Sequence, residues 1–194
     1  MALVFNGTTN VISGVAVGGL PDGIVDTDML AADSVTAPKI GSKTFTSYAI
    51  ICDQKSSTTD GGTFTSGDWR TRDLNTEITD TDSIVSISSN QFTLAAGSYL
   101  IEWSCPAMRC GRHQSRLYDI TGSAVVQYGK STTSDTGADG DQNDSDGAAR
   151  ITISANNIYE IQHQCSTTES SLGLGNASDF GTEIYTLVKI FKEA

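Results

Sequence analysis

Beyond residue 43 the chain runs in short stretches where apolar and polar residues alternate, each closed by a cluster of Gly, Asn, Asp or Ser. That pattern predicts a many-stranded β structure. The clearest stretch is Tyr99-Leu-Ile-Glu-Trp-Ser-Cys105, where Tyr99, Ile101, Trp103 and Cys105 fall on one face and Leu100, Glu102 and Ser104 on the other. Pro106 lacks a donor and is expected to end its ladder. Tyr48-Ala-Ile-Ile-Cys52 and Gln91-Phe-Thr-Leu94 follow the same period, and segments 116–120, 125–128, 150–154 and 158–165 predict four more strands. The last segment, 183–191, carries bulky residues on both faces, which suits a central strand or one lying against a neighbouring subunit. Its apolar members Tyr185, Leu187 and Phe191 are therefore the candidates for a subunit interface. Two polar stretches interrupt the strands, 58–68 and 131–149, and both are expected to be long loops that carry no core.

Residues 1–43 read differently. They hold Phe5 as their one aromatic residue, two of the three prolines (Pro21 and Pro38) and the small-residue run Val11-Ile-Ser-Gly-Val-Ala-Val-Gly-Gly-Leu20. A weak tandem unit follows, in which Val25 and Leu30 align with Val35 and Ile40 at an offset of ten. Two units are fewer than a self-supporting solenoid needs. The segment is expected to be an extended arm that buries its few aliphatics against other copies or another partner, followed by one β domain over residues 44–194.

Composition narrows the partners. The net charge is −11, which disfavours a sequence-independent grip on nucleic acid or on an anionic membrane surface. No stretch approaches the ~18 apolar residues of a membrane span. The run from Val11 to Leu20 has no Lys or Arg before it, unlike a signal peptide. Cys52, Cys105 and Cys165 fall in predicted strands and read as small buried residues of a reducing compartment.

Candidate chemistry is sparse. Asp139, Asp141 and Asn143 have the spacing that opens a calcium loop, but Asp144 stands where Gly is needed and Arg150 where a bidentate Glu should be. Cys105, Cys110 and His113 do not make the paired four-ligand set of structural zinc. No nucleophile elbow or phosphate-binding glycine loop occurs. No metal, cofactor or enzymatic activity is expected. What remains is one concentration of positive charge, Arg109, Arg112, His113 and Arg116, and Trp69 beside Arg70 and Arg72. The cluster reads either as pairing with the protein's own Asp side chains or as a contact for an anionic partner such as a polysaccharide. Trp69, Arg109, Arg112, Asp139 and Asp141 are the candidate receptor-binding residues.

Several of these stretches carry a family likeness. Leu74-Asn-Thr, then Asn90-Gln-Phe-Thr-Leu-Ala-Ala-Gly-Ser-Tyr-Leu-Ile101, then Arg116-Leu-Tyr-Asp-Ile-Thr-Gly122 resembles the globular head shared by complement-type and tumour-necrosis-factor-like proteins, in the variant seen in bacteriophage structural proteins. The leader, with Gly19-Leu-Pro-Asp-Gly23, is similar to the N-terminal part of phage fibre and virion proteins. The resemblance implies an all-β jelly-roll sandwich of about ten strands that trimerises about its inner sheet. It further implies a virion location after assembly in the host cytoplasm, with Phe5, Val11, Leu20, Val25 and Leu30 in the attaching arm. The family's collagenous or coiled-coil stalk is missing, because there is no Gly-x-y run or heptad. Two roles stay open: a trimeric tail fibre or tail appendage that recognises a host-surface glycan, and a trimeric capsid decoration protein that uses only its arm.

Overall fold

Two ladders of antiparallel strands account for nearly every alternating stretch of the sequence beyond residue 43. The computed structural model describes residues 4–6, 11–13, 44–137 and 140–194. Contacts divide the chain into two units, Met1–Ser42 and Lys43–Ala194. In the first, β1 (Val4–Asn6) and β2 (Val11–Ser13) pair antiparallel, with Phe5 opposite Ile12 and Asn6 opposite Val11. Leu20, Val25, Leu30 and, in the second unit, Asp139 lie outside the described residues.

The second unit is a sandwich of two antiparallel sheets. Its strands are β3 (Phe45–Lys55), β4 (Arg70–Thr71), β5 (Thr76–Thr79), β6 (Val85–Ser88), β7 (Gln91–Leu94), β8 (Gly97–Met108), β9 (Gly111–Asp119), β10 (Ala124–Ser134), β11 (Gln142–Ile153), β12 (Asn157–Cys165) and β13 (Glu183–Glu193). One sheet runs β11-β8-β13-β3-β5; the other runs β10-β9-β12-β7-β6, with β4 pairing β12. The result is an all-β jelly roll, with β13 central as its two-sided apolar pattern predicts. Ser89 and Asn90 both have φ near +60°, the geometry of a two-residue hairpin turn whose twist suits the flanking strands β6 and β7.

The core lies between the sheets. Ala49, Ile51, Ile101, Trp103, Val188 and Ile190 of the five-stranded sheet meet Phe92, Leu94, Leu117, Tyr159 and Ile161 of the other, nearly all without solvent exposure. Each Val, Leu, Ile or Phe among them contributes about 1.5–3 kcal/mol on burial. Trp103 is fixed in place because its Nε1 donates to Ser115 Oγ at 2.8 Å. Directly across from it on β11 is Gly147, where an added Cβ would fall inside the indole ring. Gly147→Ala is accordingly expected to destabilise the head by about 3 kcal/mol, the upper end of ordinary overpacking. In thermal unfolding that is a fall of roughly 6–12 °C; an unchanged midpoint would mean that the indole can shift freely.

Four sequence expectations are corrected. Pro106 does not end its strand: it sits opposite Asp144 beyond Ser104, where the ladder to β13 has already stopped, so its missing N–H breaks no strand pairing. Segment 131–149 is mostly strand, since β10 continues to Ser134 and β11 begins at Gln142. Loop 58–68 does contribute core, because Phe64 is fully buried against Ala107, Cys110 and Cys165 and bridges Glu169. Tyr185 is not on a free face. The register shift between Ile184 and Leu187 turns it inward, where its hydroxyl donates to the Thr59 carbonyl, and Ile184 is exposed instead.

Candidate functional site

The outer faces of the two sheets have opposite chemistry. On the five-stranded sheet, register places Tyr48, Leu100 and Phe191 in one cross-strand row and Cys52, Leu187 and Ser104 in another. Between them lies Ile50, Lys189 and Glu102. Phe45 stacks on Phe191 with ring centroids 5.3 Å apart, and Phe45, Tyr48 and Ile184 are all exposed. Lys189 and Glu102 face each other across the strands, yet neither has an ion-pair partner among the described residues. A cavity of about 580 Å³ opens beside them, lined by Leu187, Ala148 and the Lys130–Asp146 ion pair at 3.2 Å among others.

The six-stranded sheet turns polar side chains, aromatics and arginines outward. Alternation along β9 puts His113, Ser115 and Leu117 in the interior and Arg112, Gln114, Arg116 and Tyr118 on the surface. The adjacent strand β10 brings Tyr128 beside Arg116, Ser131 beside Gln114 and Thr133 beside Arg112. Trp69, just before β4, folds over this surface. Its ring lies 5.9 Å from that of Tyr128, and the Arg116 guanidinium sits 4.0 Å from its centroid and 5.1 Å from that of Tyr118. Cation and ring attract in this geometry, so each side chain holds the other. Arg116 is further fixed by donating from Nε to Gln162 Oε1 at 2.7 Å. Gln162 in turn donates to Glu160, a buried carboxylate that also accepts from Thr71 and Gln91.

Next to this stack is an open groove of about 720 Å³. Trp69 and Arg112 both line it, together with Gln114, Gln164, Ser131 and Thr133. Gln114 donates its Nε2 to the Gly129 carbonyl and Gln164 donates its own to the Gly67 carbonyl. Their Oε1 atoms receive no hydrogen bond from the described residues, which leaves both as acceptors at the groove. A flat indole beside convergent hydrogen-bonding groups is suited to a polar ligand with an apolar face.

The remaining sequence candidates lie elsewhere. Arg109 occupies the β8–β9 turn with φ +53° and its aliphatic stem lies beside Gly140. Asp141 staples the β10–β11 turn by accepting from the Asp135 backbone N–H and from Asn143 Nδ2, and these donors hold its carboxyl below the usual range. Neither lines the groove. The contributors that sequence reading missed are Tyr128, Gln114 and Gln164, which come together only through strand register. Alternation on β9, with Arg112, Gln114, Arg116 and Tyr118 two residues apart, was the available signal.

No protein-family model and no curated protein matches the chain. Solved structures share its fold. Eiger TNF from S. frugiperda is similar with a TM-score of 0.50 and 11% identity over 78% of this chain and 94% of that one. Murine APRIL at pH 5.0 is similar with a TM-score of 0.50 and 10% identity over 75% of this chain and 98% of that one. The PRD1 vertex protein P5 matches with a TM-score of 0.45 and 13% identity over 78% of this chain and all of its own length, 100%.

Proposed function

We propose that the protein is a homotrimeric structural protein of a bacteriophage virion, in a tail fibre or tail appendage, whose head binds a host-surface glycan without catalysis. The observation that carries this reading is the contrast between the two outer faces. A sheet face with Phe45, Tyr48, Leu187 and Phe191 on either side of the Lys189–Glu102 row is suited to burial against further copies of the chain, and larger exposed apolar patches mark such contacts. The opposite face stays open in that arrangement and presents Trp69, Arg112 and the free amide oxygens of Gln114 and Gln164. Three identical grooves on one particle reinforce each other, because linked sites raise the effective concentration of every later contact. Placement in a virion rests on the leader's likeness to the N-terminal part of phage fibre proteins.

Immunogold labelling of purified particles, together with binding of the purified full-length protein to permissive host cells, tests this reading. Gold at the tail and saturable cell binding are expected. Gold on the capsid with no cell binding would replace it with the decoration role.

A further inference from the structure

Charge is distributed unevenly around the groove. The chain has 23 Asp and Glu against 12 Lys and Arg, yet no carboxylate is among the described residues that line it. Arg112 is exposed at the groove wall, and no carboxylate among the described residues pairs with it. Nearby Arg70 is exposed as well, and its Nε reaches only the Thr65 carbonyl. Arg116 is already occupied by Trp69, Tyr118 and Gln162. An arginine left without a carboxylate on a surface this acidic keeps its fork of donors for something else.

We infer that the groove takes an acidic sugar, a uronate or sialate unit of a surface polysaccharide, with its carboxylate on Arg112. The inference rests on the glycan-binding reading and names the class of glycan. Guanidinium and carboxylate match in a planar, two-bond geometry that an ammonium does not reproduce. The apolar face of the pyranose ring would lie on Trp69, whose other contacts are the Arg116 cation and the tilted Tyr128 ring. Sugar hydroxyls donate, and the two amide oxygens of Gln114 and Gln164 accept. A neutral sugar would satisfy the ring and the amides but leave Arg112 unpaired, so the preference for acid resides in that one side chain.

The test uses matched probes on the full-length protein by isothermal titration: oligogalacturonate against its methyl ester, and sialyllactose against lactose. In at least one pair the acidic member is expected to bind about tenfold or more tightly, the usual worth of a hydrogen-bonded charge pair, and to weaken as salt rises. Arg112→Gln should erase the preference with no change in assembly mass, Arg112→Lys should restore part of it, and Gln164→Ala should weaken both members alike. Equal binding of acidic and neutral partners overturns the acidic class and leaves glycan recognition standing. If no probe binds while host cells still capture the protein, the acidic class again falls. If neither cells nor probes bind, the recognition reading falls with it.

Discussion

Replacing Leu187 with Asp is expected to convert the protein from an assembly of three times the 20.5 kDa chain mass to a folded single chain. Leu187 lies on the central strand β13, between Cys52 on β3 and Ser104 on β8, and its side chain points away from the core. In a trimer formed through this face it would lie among Ile50, Leu100 and Phe191 of each copy. A carboxylate there must give up most of its water, and Lys189, two residues along the same face, returns only part of that cost, so several kcal/mol are lost across the three copies. Within one chain Leu187 is only half-buried, so the head itself should keep its fold. Light scattering and circular dichroism together read both outcomes. Ile190→Asp makes the contrast: Ile190 is fully buried between the sheets, and that change is expected to prevent folding. A Leu187→Asp protein that retains the threefold mass would show that the apolar face is not the contact.

The same face shows what the sequence made legible. Strand β8 was readable as far as Cys105 because Tyr99, Ile101 and Trp103 alternate with Leu100, Glu102 and Ser104, and the bulky set packs inward. Of its partner β11, only the end predicted at 150–154 was readable. Opposite Trp103 the chain must be Gly147, and at the crossing with β9 it must be Ser145, whose hydroxyl bonds the Ser115 backbone N–H at 2.8 Å and the Lys130 carbonyl at 2.7 Å. Small and polar residues at buried positions erase the period-2 pattern that sequence reading depends on. Asp144 and Asp146 on the outward face then complete the impression of a loop. Tyr185 failed for a different reason. A register shift reverses which side of a strand each residue occupies, and no residue type announces it.

The candidate groove was legible to the same limited degree. Trp69 and Arg112 stood out because an aromatic residue beside arginines and a basic cluster in an acidic chain are unusual compositions. They are 43 positions apart in sequence (112 − 69) and belong to different segments. Their convergence depends on β4 joining β12 and on β12 joining β9. Without that register, Gln164 and Tyr128 have no reason to be placed beside either.

Acidification is expected to destabilise the head from about pH 6.5 downward, because two imidazoles are buried in the neutral form. His113 and His163 lie side by side on β9 and β12, with His113 Nδ1 3.0 Å from His163 Nε2, so one ring donates and the other must accept. Both are almost without solvent exposure, and Phe64 packs against His163 at 4.7 Å. Burial is the main cause that lowers both, His113 to about 4 and His163 well below the usual histidine range. The Arg72 guanidinium adds to this. It is buried too, held by Thr186 Oγ1 and the Leu174 carbonyl at 2.8 Å each, and repels a second positive charge. Asp141 favours the charged form of His113 but has the smallest effect of the three. With folded values below unfolded ones, the unfolded chain binds more protons between the two. Stability present above about pH 6.5 is therefore lost as pH falls, by about 1.4 kcal/mol per unit for each ring that stays neutral. Glu183 and Glu193, whose carboxyls are held low by backbone and Arg150 donors, lose their contribution only below about pH 4.5. Asp53 and Asp144 act in the opposite direction, since burial raises both and their protonation favours the folded chain as pH falls. Comparison with variants separates these contributions. Denaturant unfolding from pH 7 to 4.5 should show a steep decline in the native protein and a shallower one in His113→Gln and in His163→Gln. Parallel pH profiles in all three proteins would refute the assignment to the histidine pair, whatever the absolute stability of each variant.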